Sequence, residues 1–145
     1  SELEMINREL TTTSLQLVSK NKILGDISHM TRTIYESRSM DKASFNRLQS
    51  VIQENLNTDR DWEQFRELFE KVHQDFFIHL KAGYPDLTEH DLRLCAYIKI
   101  NLQNKEIARI LNVSPATVTT NRYRLRKKLA LDGEVSLDDF LRNFS

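Results

Sequence analysis

The pair Ser114-Pro115 constrains this chain more than any other feature, because it fixes where one helix starts and how that helix faces. A serine hydroxyl accepts from a free amide of the first turn, and proline fits the first helical position, where a missing N–H costs nothing. The residues from Ala116 to Leu129 contain no glycine or proline, so the helix runs on for about four turns. At about 100° per residue, Val118, Arg122, Leu125 and Leu129 fall on one side, and Ala116, Thr120, Tyr123 and Lys127 fall opposite. One face is core and the other is free.

Just upstream, Asn104 to Leu111 reads as a short helix with Ile107, Ala108 and Leu111 inward, broken at Asn112. The pattern is helix, tight turn, helix, and the small Ala108 lets the two cross closely. The free face of the second helix and its flanks carry the hydroxyls of Thr117, Thr119 and Thr120, the phenol of Tyr123, and the cations Arg124, Arg126, Lys127 and Lys128. Short polar groups near a helix start suit base edges, and cations further along suit phosphates and the negative end of the helix dipole. A basic stripe standing alone is usually a solvated face; one on the second helix of such a pair has a use, since that arrangement lays the second helix in the major groove of double-stranded DNA. The first helix then crosses the backbone, which makes Lys105 a phosphate contact. The expected site is Lys105, Thr117, Thr119, Thr120, Tyr123, Arg124, Arg126 and Lys127, with Thr120 and Tyr123 toward bases and Arg126 and Lys127 on phosphates. Arg122, at the edge of the core face, predicts a structural pairing with an acid, Glu106 being the nearest, because an unpaired cation there is costly.

Leu87-Thr88, Asn104-Lys105-Glu106-Ile107-Ala108, Leu111, Ser114, Thr117-Val118, Arg122 and Lys128-Leu129, in this order and spacing, resemble the LuxR-type DNA-binding domain of bacterial regulators. The resemblance implies a four-helix unit that reads DNA. It departs from the common pattern at Asn101, where glycine is usual, at Gln103, a poorer cap than a small hydroxyl, and at Thr119 and Asn121 in the recognition helix. Base preference is therefore not carried over.

Formal net charge is zero, with 21 basic and 21 acidic residues, which taken alone speaks against a nucleic-acid binder. The average hides a polarity: Leu87 to Leu129 is basic, while Asp132, Glu134, Asp138 and Asp139 and much of the first half are acidic. The one cysteine, Cys95, sits among Leu94, Ala96 and Ile98 as a small core residue, and the four histidines form no ligand-like cluster. No phosphate-cradling glycine loop, nucleophile set or small-molecule site is visible, so neither an enzyme nor a cofactor is expected. Two other classes share a helix pair of this kind: a sigma-factor-like promoter-recognition region, and a helical module that binds an acidic protein partner.

Three glycines and two prolines, no strand-like alternation and a dominant helical period make the chain all-α. From Leu3 a heptad seam runs through Ile6, Leu10, Thr13, Leu17, Lys20, Leu24, Ile27, Thr31 and Ile34, diluted by its threonines and lysine. It reads either as a helix packed on the rest of the chain or, favoured by its length, as one strand of a parallel coiled coil that pairs two copies. Asp41 or Ser39 starts a helix with Phe45, Leu48, Val51 and Ile52, and Asn55 to Thr58 form a turn. A single amphipathic segment then runs from Asp59 or Asp61 through Trp62, Phe65, Phe69, Phe76, Phe77 and Leu80 to Gly83; an aromatic stripe of this kind is core more often than pocket. Thr88 with Asp91 opens the helix under the DNA-reading pair, and Ser136 caps a last helix with Leu137, Phe140, Leu141 and Phe144 on one face. In LuxR-type domains that last helix often makes the dimer contact; packing back on the aromatic helix is the other choice. The expected organisation is a signalling helix over 1–36, an aromatic linker unit over 37–84 and the DNA-binding unit over 85–145.

More loosely, Asp61-Trp62-Glu63, Phe65, Phe69, Phe76-Phe77 and Tyr84-Pro85-Asp86-Leu87-Thr88 are similar to the cytoplasmic end of membrane-spanning sensor-regulators with a periplasmic β-propeller and a triple-tyrosine domain. That similarity implies a sensor domain in the same polypeptide, a cytoplasmic position below the inner membrane, and a glycan signal; a homodimer is expected through the N-terminal helix, the last helix or both.

Overall fold

The computed structural model describes residues 1–145 as eight α-helices and no strand. The first, α1 (Glu2–Glu36), is capped by Ser1 and, as the uninterrupted period predicts, continues for 35 residues. It buries Leu10, Thr13, Ser14, Leu17, Asn21 and Thr31. The buried hydroxyls of Ser14 and Thr31 donate to the carbonyls of Leu10 and Ile27, each at 2.7 Å, so their burial leaves no orphaned donor. Helix α2 (Lys42–Asn55), capped by Asp41, turns back along the end of α1, with Phe45 stacked on Tyr35 at 4.3 Å and Ser28 bonded to Gln49 at 3.0 Å.

The middle of α1 lies on α3 (Thr58–Val72) and on α6 (Asn104–Leu111). Lys20 reaches the buried Asp61 of α3 at 2.8 Å, and the Asn21 amide donates to the carbonyl of Arg109 at 2.6 Å. These contacts correct the favoured reading of the heptad seam. Leu10, Thr13, Leu17 and Thr31 are already buried within one chain, and pairing two arms along the same line would displace α3 and α6.

The aromatic segment is two helices rather than one. It breaks between α3 and α4 (Phe76–Gly83) at Asp75, which adopts the left-handed conformation at φ 66°. Aspartate tolerates that region better than most residues, and the reversal brings Phe76 and Phe77 back over Phe69, with ring centroids 5.4 and 5.1 Å away. Trp62, Phe65, Phe69, Phe76 and Leu80 are all buried, so the stripe is core.

Helix α5 (Glu89–Lys99) starts from a capping box of Thr88 and Asp91 and buries Leu94, Cys95, Ala96, Tyr97 and Ile98. Helices α6, α7 (Pro115–Lys128) and α8 (Leu137–Asn143) complete the second half. Of the two places open to α8, the structure takes the inward one, against the aromatic helices. Leu137 and Leu141 are buried, Phe140 meets Tyr84, and Phe144 meets Phe76 edge-on at 5.9 Å. Lys99 secures this packing by donating to the carbonyls of Leu141, Arg142 and Phe144 at the end of α8, the last at 2.7 Å. One hydrophobic core therefore runs from Leu10 and Leu17 through the aromatic cluster to Val118, Leu125 and Leu141.

Candidate nucleic-acid interface

The turn between α6 and α7 is set by Asn112, which stops α6 in the left-handed conformation at φ 55° and ψ 47°. The side chain of Ser114 then accepts from the N–H of Thr117 at 3.2 Å, and Pro115 is the first residue of α7. The underside of α7 is fixed by Val118, Leu125 and Leu129, all buried. Against them α6 sets Ile107, Ala108 and Ile110, while Leu111, expected inward, is only partly buried. Asn101 also takes the left-handed conformation, so it fills the position where glycine is usual in the similar domains.

With its underside held, α7 turns Ala116, Thr117, Thr119, Thr120, Tyr123, Arg124 and Lys127 to solvent. Thr119 and Thr120 donate their hydroxyls to the carbonyls of Pro115 and Ala116 at 3.2 and 3.1 Å, which leaves their lone pairs and methyls outward. The Thr117 hydroxyl lies 2.9 Å from that of Ser114 and belongs to the cap. Tyr123 is 59 % exposed, and the Lys127 ammonium sits over its ring at 4.5 Å, so phenol and cation form one outward unit. Arg124 is exposed without an ion-pair partner and overlooks an open cleft of about 390 Å³, shared with His90 and Asn121. Lys105 stands exposed and unpaired in the first turn of α6.

Three basic residues of α7 are engaged within the chain. Arg126, expected on phosphate, donates both ends of its guanidinium to the turn before α8, to the carbonyls of Asp132 and Val135 at 2.6 Å each. Its charge lies near the interface while its donors brace that turn. Lys128 pairs with Asp91 at 2.6 Å. Burial opposes charge on Asp91, but the bonds from Lys128 and from the Thr88 N–H prevail and hold its carboxyl below the usual range. Arg122 is paired as its position on the wheel demands, but with Asp138 of α8 and not with Glu106. Glu106 instead accepts from the backbone N–H of Gln103 at 2.8 Å, capping α6. The spacing of three between Gln103 and Glu106 was the signal for this, since it is that of a capping box. Nothing in the local sequence marked Asp138, sixteen residues on from Arg122.

The face is thus a rigid helix with threonine oxygens and a tyrosine in front and unpaired cations at its flank. Residues 86–140 match the model of a family described as bacterial regulatory proteins, luxR family. No curated protein and no solved structure matches the chain. Residues 86–140 are a LuxR-family helix-turn-helix domain, the DNA-binding part of transcription regulators.

Proposed function

We propose that α7 lies in the major groove of double-stranded DNA and reads sequence through Thr119, Thr120 and Tyr123, with Lys105, Arg124 and Lys127 on phosphates. The observation that carries this is the division of α7 into a fully buried underside and an outward face with cations that no carboxylate neutralises. Thr117 takes part through the cap, and Arg126 through the turn it holds. Residues 1–36 serve as a signalling helix, 37–84 as the linker unit and 85–145 as the reader. The chain is the cytoplasmic output module of a regulator whose sensor domain belongs to the same polypeptide, responds to a glycan and is anchored in the inner membrane. The looser likeness of the Trp62 to Thr88 region supports that reading, and no helix here is itself long and apolar enough to cross a membrane.

Selection from random duplex DNA tests the proposal. A recovered motif whose preference shifts in Tyr123→Ala supports it. Equal retention of all sequences by the intact chain overturns it.

A further inference from the structure

Among the buried polar residues of α1, Ser14 and Thr31 turn their hydroxyls back on carbonyls of α1 itself, whereas Asn21 reaches another helix. Its amide nitrogen lies 2.6 Å from the carbonyl of Arg109 and 3.4 Å from that of Ile110, both in the last turn of α6. The last carbonyls of a helix lack partners within it, so a donor brought from outside caps them. The backbone closes the same turn around the left-handed Asn112, with the Val113 N–H donating to Ala108 at 3.0 Å and the Asn112 N–H to Arg109 at 3.3 Å. From there the chain passes directly to Ser114 and α7. Two more contacts tie α1 to this turn. Ile110 lies about 100° round α6 from Leu111, off the side expected to face α7, and is buried all the same, in one core cluster with Leu10 and Leu17 of α1. The Arg109 guanidinium lies over Gly25, 3.8 Å from where a Cβ would stand. Lys20, beside Asn21, fixes α1 on α3 through Asp61, so neighbouring residues of α1 hold the linker unit and the reader.

We infer that Asn21 is a positioning residue for DNA reading: by holding the end of α6 it sets the turn from which α7 starts, and through it α1 acts on that helix. This deepens the function proposed above and rests on it. Packing alone does not account for an amide here. The Asn21 Oδ1 is buried without a partner, which is costly, and a leucine would fill much the same space without that cost. What the amide adds is direction. Its bond to the α6 carbonyls is made in one register of α1 on α6 and is lost when α1 slides or turns by a fraction of a helical step. In the register observed, the outward face of α7 is open, so the bond supports the form that reads DNA.

The test compares the intact chain with Asn21→Leu in two measurements: affinity for the duplex recovered by the selection above, and hydrogen exchange of the backbone amides. Asn21→Leu removes the bond and the unpaired oxygen together, so its thermal melt should stay near that of the intact chain. Affinity should fall about three- to tenfold, as for the loss of one hydrogen bond. The amides of Asn112 and Val113 should exchange faster, while those of α5 keep their rates. If leucine lowers the melt, Asn21→Ala, which adds no bulk, carries the same comparison at a temperature where it is fully folded. An affinity that is unchanged or raised overturns the inference. So does exchange that stays the same at Asn112 and Val113, or that rises evenly along the chain. Failure of the intact chain to bind any duplex overturns the proposed function instead, and the exchange comparison still decides whether α1 holds the turn.

Discussion

Replacing Lys20 with methionine should cost about 2–3 kcal/mol of folding stability, because it leaves the Asp61 carboxylate buried without its cation. The Lys20 ammonium lies 2.8 and 3.0 Å from the two carboxylate oxygens. At 2.8 Å the gross attraction is about 6 kcal/mol at an effective dielectric constant of ~20, much of it offset by desolvation. Removing one partner of a fully buried pair costs about 3–5 kcal/mol. The side chain of Asp61 is 5 % exposed but that of Lys20 is 37 %, so water screens part of the loss and the figure falls below that range. For a chain near 150 residues this lowers Tm by about 6–9 °C, at roughly 3 °C per kcal/mol. The double variant K20M/D61L should recover most of it, since an apolar pair of similar size replaces a buried ion pair at little net cost. Urea unfolding of the intact chain, both single variants and the double variant gives the coupling directly. If K20M unfolds within about 0.5 kcal/mol of the intact chain, α1 does not rest on α3 in solution, and the heptad seam is free to serve as an arm.

Arg122→Ala and Asp138→Ala should each destabilise the chain by about 1–2 kcal/mol, and the double variant no more than the larger single, read by urea unfolding. Arg126→Ala should lower stability by about 1–2 kcal/mol through loss of the turn before α8; a shallower salt dependence of DNA binding at unchanged Tm would return it to the phosphate contacts. Lys127→Ala should weaken all duplexes alike, and a change of preference among sites in that variant would contradict its role. His73 is depressed below its ordinary 6.5, first by burial and then by nearby Lys99. The unfolded chain therefore binds the extra proton first, and stability should fall as pH drops below about 6.5 toward the depressed folded value. In His73→Gln that slope should flatten in pH-dependent unfolding, and an unchanged slope would remove His73 as its source.

Local chemistry was legible where it acts over a few residues. Ser114 and Pro115 mark the start of α7 in both sequence and structure, as Asp41 does for α2 and Thr88 with Asp91 for α5. The two faces of α7 follow from the wheel alone. What the sequence hid depends on distant partners or on a break without a breaker. Asp75 interrupts the aromatic segment with neither glycine nor proline, because the pull of Phe76 and Phe77 onto Phe69 outweighs the cost of one left-handed residue. The heptads of α1 were visible, but not that α3 and α6 cover Leu10 and Leu17, since neither helix carries a local sign of where it packs. For Arg122 and Arg126 the side of the helix was clear, while the acceptors that hold them lie in the turn around Gly133 and beyond it.

The salt dependence of binding to a duplex with one half-site tests the central claim most directly. Lys105, Arg124 and Lys127 are the cations of α6 and α7 assigned to phosphate, and each releases a counterion on contact. The logarithm of affinity should fall linearly with the logarithm of salt, with a slope near −2.7, or about −0.9 for each contact. Replacing all three by alanine should bring the slope close to zero while the thermal melt stays where it was. A slope unchanged in the triple variant, or no affinity for duplex DNA at low salt in the intact chain, would contradict the assignment of α7 as the helix that meets DNA.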